Sequence, residues 1–456
     1  MKYLYLKILV PAALSFSLFA DVEAQSNGRL SLSMVIDTLA LDAPAARIQH
    51  LNYENDLLQF DNYKKGFLPS VSVSMSPLSF NRSIVKLQQA TDGQYNYVED
   101  YSSSSSAGLS IQQKVPFTGG TLSANTNLNY LNELSRNRHS FSSTPFSVRY
   151  SQQLFGDRKS MRMEKTIEYK RNEENVKKYI AAISAIQQKT LGLYMNSFLA
   201  SLEKSLSSSN RLATDSLLRL AKVRHENRRI TEIDFKQIEL QAANNEYLEE
   251  NALKNFEDAV RNLISYLGID IANIPLITVD VPAFTLPVRI SPEMVRYYIY
   301  ENNPTLLNRE IRRLEAEKAL YASEIQRRFN ANINMSYGMN QFAQSLSDVY
   351  SSPSRQQAVS VGFTIPFSLW GVNWNLAKIA KNNYQSNLIS INSEFDEFEN
   401  EIERTVNNYN HTINLRLIAE CAYLLSQEQF RLTVQAFAMG RASAEIRIST
   451  KPCARS

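Results

Sequence analysis

The stretch NPTLLNREIRRLEAEKALYASEIQRRFNANINMSYG, from Asn303 to Gly338, changes its hydrophobic period midway. Between Ala331 and Tyr337 apolar residues alternate with Asn and Ser, as they do in a strand with one apolar and one polar face. Before that point the apolar side chains recur at spacings that place them on one stripe of a helix, namely Leu307, Ile311, Leu314, Tyr321 and Ile325. The stretch therefore predicts a long helix that continues into a two-faced strand with no turn residues between them.

The same order of elements occurs near the N-terminus, in APAARIQHLNYENDLLQFDNYKKGFLPSVSVSMS. Pro44 corresponds to Pro304, and proline is well tolerated at a helix start because its missing N–H has no helical partner there. A helix-length segment then leads to Val71, Val73 and Met75, which alternate with serines. Each copy reaches a second alternating strand, PFSVRYSQQLFG in the first and AVSVGFTIPFSLWG in the second. We interpret the chain as a duplication.

The first copy holds an additional hairpin between its two strands, which we predict at about residues 104–131. Alternating runs at 109–115 and 122–130 flank PFTGG, in which Gly119-Gly120 is a turn signal. The stretch YSSSSSAG, residues 101–108, precedes this hairpin and is interpreted as a flexible polar loop.

A very long helical region follows each second strand. Between Gly156 and Gly268 the only glycine is Gly192, and no proline occurs there. A hairpin of two roughly 55-residue helices would extend about 80 Å, which makes a rod or tunnel and not a globule. Prolines between residues 275 and 292 indicate an extended linker. The predicted division is 1–24, 25–274, 275–292 and 293–456, the second and fourth segments being the two repeats.

Residues 1–24 are predicted to be a secretory signal peptide. Lys2 and Lys7 precede an apolar stretch, and small residues stand at the −3 and −1 positions of a cleavage site after Ala24. An anchoring helix is disfavoured because Pro11 interrupts the apolar run, which is shorter than the ~20 residues that a span needs.

Composition and motifs exclude several classes of function. The chain has 49 Lys and Arg against 45 Asp and Glu without a basic block, which argues against a nucleic-acid partner. Its four His are scattered without metal-ligand spacing, and it lacks a nucleophile elbow and a phosphate loop. Acidic pairs, Glu173-Glu174 and Glu249-Glu250, are interpreted as solvated helix faces. We predict no catalytic residue, cofactor or metal.

The only cysteines are Cys421 and Cys453, which do not make a disulfide framework. A single disulfide between these two residues stays an open alternative.

Two interpretations of the strands are possible. A sheet over a core is the commoner case in soluble proteins. The uncharged Ser and Asn of the polar faces, together with the signal peptide, favour a membrane barrel with an apolar outside and a wet lumen. One chain offers too few strands, so the barrel would be shared between chains. The lipid face would then include Val71, Val73, Met75, Ile333, Met335 and Tyr337.

Aromatic residues lie near the strand ends, namely Phe67, Phe329, Phe367, Trp370 and Trp374. They form either an interfacial belt at the membrane surface or ordinary packing between helix and strand.

The chain resembles the TolC-like outer-membrane efflux proteins over nearly all of its mature length. The resemblance rests on the duplicated Asn-Pro-helix-strand unit, on Pro366-Phe367 at the end of the last strand, and on Gly-x-x-Ser-type turns. It implies a mainly α fold with membrane β-barrel strands, in which long antiparallel helical hairpins form an α-barrel continuous with a trimeric β-barrel. It also implies a homotrimer in the outer membrane of a Gram-negative bacterium. That trimer would be an exit duct for efflux or type I secretion, with a periplasmic extension, docked through a periplasmic adaptor onto an inner-membrane transporter.

The resemblance further implies that the turns of the helical hairpins lie at the periplasmic tip, with a Gly-x-x-Ser/Thr-x-x-Asp/Glu signature. RRITEIDF supplies Thr231 and Asp234 with Arg228 at the Gly position, and MGRASAEI departs from the signature because Ile446 replaces the acidic residue. The residues implied in adaptor contact are Arg228, Thr231, Asp234, Gly440, Ser443 and Glu445. Those implied at a gate are Asp234, Phe437 and Arg441. Plain helix capping is the alternative role for Thr231, Asp234 and Ser443.

Two expectations concern the whole chain. Few residues follow Gly440, so the last helix of the second repeat is expected to be missing, in a truncated chain or an unusual member. The alternative to an exit duct is a soluble periplasmic coiled-coil scaffold or adaptor without channel activity. The 13 glycines argue against the Gly-rich modules that an adaptor would be expected to carry.

Overall fold

A computed structural model describes residues 29–88, 95–269, 278–282, 286–365 and 370–438. The first elements are β1 (Arg29–Leu30), α1 (Leu32–Met34), a π-helical turn (Val35–Leu39), α2 (Ala40–Asp42), α3 (Pro44–Lys65), β2 (Ser70–Gln88), β3 (Tyr95–Lys114), β4 (Thr121–Glu133), β5 (Arg138–Gln153) and α4 (Asp157–Glu226). They are followed by α5 (Glu232–Leu267), β6 (Thr278–Val279), α6 (Pro292–Asn302), α7 (Pro304–Arg327), β7 (Asn330–Ala343), β8 (Ser354–Thr364) and α8 (Val372–Ala438).

The predicted change from helix to strand is confirmed in both copies of the repeat. In the second copy, helix α7 ends at Arg327 and strand β7 begins at Asn330. In the first copy, helix α3 ends at Lys65 and strand β2 begins at Ser70. The side chain of Asn303 accepts a hydrogen bond from the Thr305 N–H at 2.8 Å and caps α7, in which proline is the first residue. On the predicted apolar stripe, Ile311 is buried. Hydrophobic period alone therefore locates this boundary.

The chain divides into two compact units, each built from both halves of the sequence. The first unit contains residues 1–49, 182–289 and 412–456, and the second contains 50–181 and 290–411. No helix in the described ranges is both long and apolar enough to cross a membrane.

The first unit contains the turn between α4 and α5 and a core in which Tyr194 is fully buried. Its ring packs in one cluster with Val35, Leu263 and Leu267. The Tyr194 hydroxyl lies 2.7 Å from the carbonyl oxygen of Asp280 and 3.1 Å from that of Leu30. Burial raises the pKa of this phenol, so it stays a hydrogen-bond donor. The bonds hold the short parallel pair β1–β6 against α4.

Polar contacts also join α4 to α5. Arg211 Nη1 lies 2.5 Å from Glu249 Oε2, and the hydrogen bond from Arg211 lowers the pKa of that carboxyl. The amide of Asn245 donates to the fully buried Thr214 hydroxyl at 2.6 Å. The two helices have 70 and 36 residues, so the prediction of two roughly equal helices is wrong. The turn follows Glu226 and so lies closer to the C-terminal end of the helical region, Leu267, than to its start. Its position is determined by residues that cap the helix ends and not by the length of the region.

The second unit contains a six-stranded sheet in the order β2-β3-β4-β5-β7-β8, with antiparallel pairing throughout. The pairing of β5 with β7 joins the two halves of the sequence in this sheet. The stretch YSSSSSAG, residues 101–108, with its serine run at residues 102–106, belongs to β3, so its interpretation as a flexible loop is wrong. Serine has little strand preference of its own, but this run pairs with β2 on one side and β4 on the other.

Ion pairs connect the helices of the second unit. Lys170 on α4 lies 2.7 Å from Glu310 on α7. Glu174 is only 2% exposed, and its Oε1 forms an ion pair with Lys178 and accepts a hydrogen bond from the Asn308 amide, both at 2.8 Å. Its interpretation as part of a solvated face is therefore wrong. Burying a carboxylate is costly unless its charge is paired and hydrogen-bonded, and Lys178 and Asn308 supply the ion pair and the hydrogen bond here.

Gly268 ends α5 in the left-handed region, with φ 73°, and a Cβ built on it would lie 2.8 Å from the ring of Pro44. We expect Gly268→Ala to lower the free energy of unfolding by at least about 1 kcal/mol, because both the backbone and the contact oppose a side chain. Thermal unfolding of the purified protein followed by circular dichroism measures the change.

Gly192 is the matched control, since a Cβ there would meet no atom within 4 Å. Gly192→Ala is expected to raise the free energy of unfolding by about 0.5–1 kcal/mol, as alanine does inside a helix. Equal melting temperatures for the two variants would contradict the assigned role of Gly268.

Candidate functional site

One face of the sheet is apolar across all six strands. Directly paired residues on neighbouring strands lie on the same face, so the register identifies its members. One row runs through Val71, Ile111, Ala124, Val148 and Tyr337, in that order from β2 to β7. A second row runs through Leu122, Tyr150, Met335 and Val359 from β4 to β8. We call this side of the sheet, at the end of the strands nearest the helices, the apolar face.

The apolar face includes all six residues that the sequence analysis assigned to a lipid face, namely Val71, Val73, Met75, Ile333, Met335 and Tyr337. Their contact with lipid stays a prediction. Val73, Val359 and Phe363 are 65%, 72% and 66% exposed, so the described part of the chain leaves this face uncovered at both edges of the sheet. A contiguous apolar surface of this kind indicates contact with another protein or with a membrane.

The opposite face, which we call the polar face, carries mainly serine and asparagine. One of its rows runs through Ser72, Ser110, Asn125 and Ser147. The Ser110 hydroxyl donates to Asn125 Oδ1 at 2.6 Å, and the equivalent bond between β5 and β7 joins Ser151 to Asn334 at 2.7 Å. Short side chains that satisfy one another across strands leave a hydrophilic surface with few charges.

The junction between strands and helices is closely packed. Phe155 and Phe329 meet edge to face with ring centroids 5.2 Å apart. Next to them Gly156 has φ 105°, and a Cβ built there would lie 2.6 Å from the Ile325 side chain. Arg327 lies over the Trp374 ring at 4.6 Å. The aromatic residues at this level therefore make ordinary contacts within the chain. Of the others, Phe67 packs on Tyr63, Trp370 is 96% exposed, and Phe367 lies outside the described residues.

The turn between α4 and α5 has the hydrogen bonds of a Schellman motif. The Arg229 N–H donates to the Arg224 carbonyl and the Arg228 N–H donates to the His225 carbonyl, both at 2.8 Å. Arg228 has φ 55°, in the left-handed region where glycine is the usual residue of this motif. The structure thus shows why a glycine belongs at this position of the signature, and it shows that this chain places an arginine there.

The predicted residues Thr231 and Asp234 begin helix α5. Thr231 Oγ1 accepts a hydrogen bond from the Asp234 N–H at 3.1 Å and donates to Asp234 Oδ2 at 2.7 Å, so the capping role is confirmed. Together with Arg228 they lie in one turn. His225 was not among the residues predicted from the sequence, yet its ring stacks on Phe235 at 5.0 Å and its Nε2 lies 2.9 Å from Glu232. Its place in the last turn of α4, three residues before Arg228, was the signal available.

An exposed apolar stripe on α5 begins beside this turn. Ile233, Leu240 and Tyr247 recur every seven residues and are 72%, 63% and 69% exposed. A seven-residue spacing is typical of a helix that packs along another helix. This chain covers the stripe only in part, so it is available to a helix of another chain.

The second predicted tip falls largely outside the described residues. Gly440, Arg441, Ser443 and Glu445 lie beyond Ala438, the last residue of α8, and Phe437 is described only as part of that helix. The pairing of Asp234 with Arg441 therefore stays a prediction. Among the described residues, no group of three His, Cys, Asp or Glu side chains could hold a metal ion.

Solved outer-membrane proteins, two of them described as channels, share this architecture. The CmeC channel of Campylobacter jejuni is 15% identical, with a TM-score of 0.61 over 90% of this chain and 77% of that chain. VceC of Vibrio cholerae is 12% identical, with a TM-score of 0.63 over 90% and 86% of the two chains. The channel OprN is 13% identical, with a TM-score of 0.64 over 91% and 81%. No protein-family model and no curated protein matches the chain. The resemblance to the TolC-like proteins is thereby confirmed at the level of the fold.

Arg228 allows a direct test of the strain in the turn. Left-handed backbone costs a residue with a side chain about 1–2 kcal/mol, and the extra chain entropy of glycine offsets part of that gain. Arg228→Gly is expected to raise the free energy of unfolding by about 0.5–1 kcal/mol, measured as a higher melting temperature of the purified protein.

Arg229→Gly provides the control, because it also removes a guanidinium but at a residue without a positive φ. It is expected to lower the free energy of unfolding by about 0.4–1 kcal/mol through the entropy of the unfolded chain. A destabilised Arg228→Gly variant would show that the arginine side chain contributes more than the strain costs.

Proposed function

We propose that this chain is one protomer of an outer-membrane exit duct, through which solutes pass passively while an inner-membrane transporter supplies the energy. The observation that carries the proposal is the continuous apolar face of the sheet, with a Ser and Asn face behind it, in a chain that has the fold of outer-membrane channels. CmeC and OprN are described as outer-membrane channels, which supports a channel role.

The two faces suit a wall between lipid and water. In lipid every backbone N–H and C=O needs an internal partner, which strands provide only when they close into a ring. Apolar side chains would then contact the hydrocarbon and the polar face would line a wet lumen. Because that lumen would present mainly uncharged hydroxyl and amide groups, it would transmit polar solutes without binding any of them strongly.

Assembly would use both the strands and the helices. The chain would form a homotrimer that closes a β-barrel, with the long helices continuing into the periplasm as an α-barrel. The exposed stripe that begins at Ile233 on α5 would pack on a neighbouring helix of the assembly. The turn at Arg228–Asp234 would contact a periplasmic adaptor, which links the duct to its transporter. Outer-membrane lipid would surround the apolar face.

The second hypothesis is a soluble periplasmic coiled-coil scaffold or adaptor. The exposed stripe on α5 fits it as well as it fits a duct. The sheet does not fit it, because a soluble protein would have to cover the apolar face, and Val73, Val359 and Phe363 are more than half exposed. Fractionation separates the hypotheses, since recovery from the soluble periplasm without detergent would exclude the duct.

A lysine on the apolar face tests contact with lipid. Met335→Lys would place a charge among hydrocarbon chains, at a cost of about 2–4 kcal/mol near the middle of the membrane. We expect this variant to lose most of the heat-modifiable trimer that the unaltered protein forms in outer membranes, measured by electrophoresis of boiled and unboiled samples.

Ser336→Lys is the matched control. It introduces the same side chain at the next residue of β7, on the polar face. We expect its trimer yield to match that of the unaltered protein, because the lysine would reach water in the lumen. Equal losses in the two variants, or no loss in either, would contradict a lipid-facing apolar side.

A photo-crosslinking residue at Thr231 tests the docking of the tip. Thr231 lies in the exposed turn, and its replacement should cost only the helix cap, about 1 kcal/mol. We expect crosslinking in intact cells to join the duct to a periplasmic adaptor, identified by mass spectrometry together with its transporter. The same probe at Ser443 tests the second tip.

The same photo-crosslinking residue at Ser72 serves as the control, because this side chain lies on the polar face of the sheet and would line the lumen. It should capture no adaptor. Capture of the adaptor from Ser72 and not from Thr231 would contradict docking at the tip and leave the membrane ring unaffected.

A further inference from the structure

The sheet has two open edges with opposite strand directions. Among the residues that the structure describes, β2 pairs only with β3 and β8 pairs only with β7. Five successive antiparallel pairings separate them, so β2 and β8 run in opposite directions. When β8 of one copy lies beside β2 of the next, the new pair is therefore antiparallel as well. A head-to-tail contact of this kind repeats from copy to copy, and it closes into a ring when the rotation between copies divides a full turn.

The two edges also match in sequence. Residues 70–76 of β2 read SVSVSMS and residues 358–364 of β8 read AVSVGFT, with the valines of both on the apolar face. Neither segment contains a charge or a proline, which are the devices that keep edge strands from pairing. Pairing between these segments would continue the apolar face and the polar face from one copy into the next without a break.

The additional hairpin, formed by β3 and β4, is a full part of the sheet. It lies between β2 and β5, which are the two strands that correspond to β7 and β8 of the second half. Its side chains continue both faces, with Ile111 and Ala124 in an apolar row, and with Ser110 bonded to Asn125 on the polar face. If the hairpin left the sheet, the backbone N–H and C=O groups by which β2 pairs with β3 and β5 pairs with β4 would lose their hydrogen-bond partners.

We propose that each copy contributes all six of these strands to the membrane ring, with β2 paired to β8 of the next copy, so that three copies close an eighteen-stranded barrel. The inference rests on the trimeric duct proposed above. Two strands from each half would give four per copy and a ring of twelve. Since barrel diameter grows roughly in proportion to strand number, the hairpin makes the membrane bore about 1.5 times as wide.

Disulfide crosslinking on the polar face tests the proposal. In a background with Cys421→Ser and Cys453→Ser, Ser72→Cys on β2 is combined in turn with Ala358→Cys, Ser360→Cys and Gly362→Cys on β8. We expect at least one pair to give a band of three joined chains that reductant removes, in trimers extracted from outer membranes. Pairs of Ser72→Cys with Val359→Cys or Val361→Cys are the control, because their side chains lie on opposite faces and should not join.

A second set of pairs counts the strands. Ser72, Ser110, Asn125 and Ser147 form one row of the polar face. Ser72→Cys with Ser110→Cys should join within one chain, whereas Ser72→Cys with Ser147→Cys should not, because the hairpin separates them. Joining of Ser72→Cys to Ser147→Cys would mean that β2 contacts β5 directly, and that result overturns the proposal.

The experiments distinguish the number of strands in the ring from the existence of the duct itself. An outer-membrane trimer that forms no crosslink from β2 to β8 of another copy overturns the eighteen-stranded ring and leaves the duct in place. A soluble or monomeric protein overturns both. Crosslinks between β2 and β8 together with intact pairing of β2 to β3 support the ring.

Discussion

The register of the antiparallel sheet is the constraint on which the rest of the structure depends. Side chains alternate between faces with a period of two, so a slip of one residue in any pairing would move an apolar set onto the polar face. At the end of the strands nearest the helices, the pairings keep valines, leucines and tyrosines in rows, with serines and asparagines mainly in the rows between them. The pairing of β5 with β7 carries this register from one half of the sequence to the other.

Much of the fold follows from local patterns. The end of α7 near Phe329 was predictable because the hydrophobic period changes there, and the cap at Thr231 because hydroxyl and carboxyl residues at this spacing stabilise a helix start. The apolar face was predictable strand by strand. Its continuity across β3 and β4 was not, since register between strands depends on pairing partners that are distant in the sequence.

The errors have equally physical causes. The serine run of β3 has no hydrophobic period, so only its neighbours make it a strand. Glu174 looked solvated because its burial depends on Asn308, which the chain brings to it from the second half. The position of the turn at Arg228 follows from capping bonds and not from the length of the helical region. In the first two cases the deciding contact comes from a distant segment, and in the third it is a set of local backbone bonds that hydrophobic pattern does not reveal.

The short junctions between strands and helices fix the rotation of each helix about its axis relative to the strand that it adjoins. Two residues, Arg328 and Phe329, separate α7 from β7, and residues 154–156 separate β5 from α4. One inserted residue at such a junction would turn the adjoining helix by about 100° relative to its strand, which would move Ile325 away from Gly156. Changes of length are therefore tolerable only at the far ends of the strands, such as residues 134–137 and 344–353. Those connections are where related chains can differ in length while the sheet and its junctions keep one geometry.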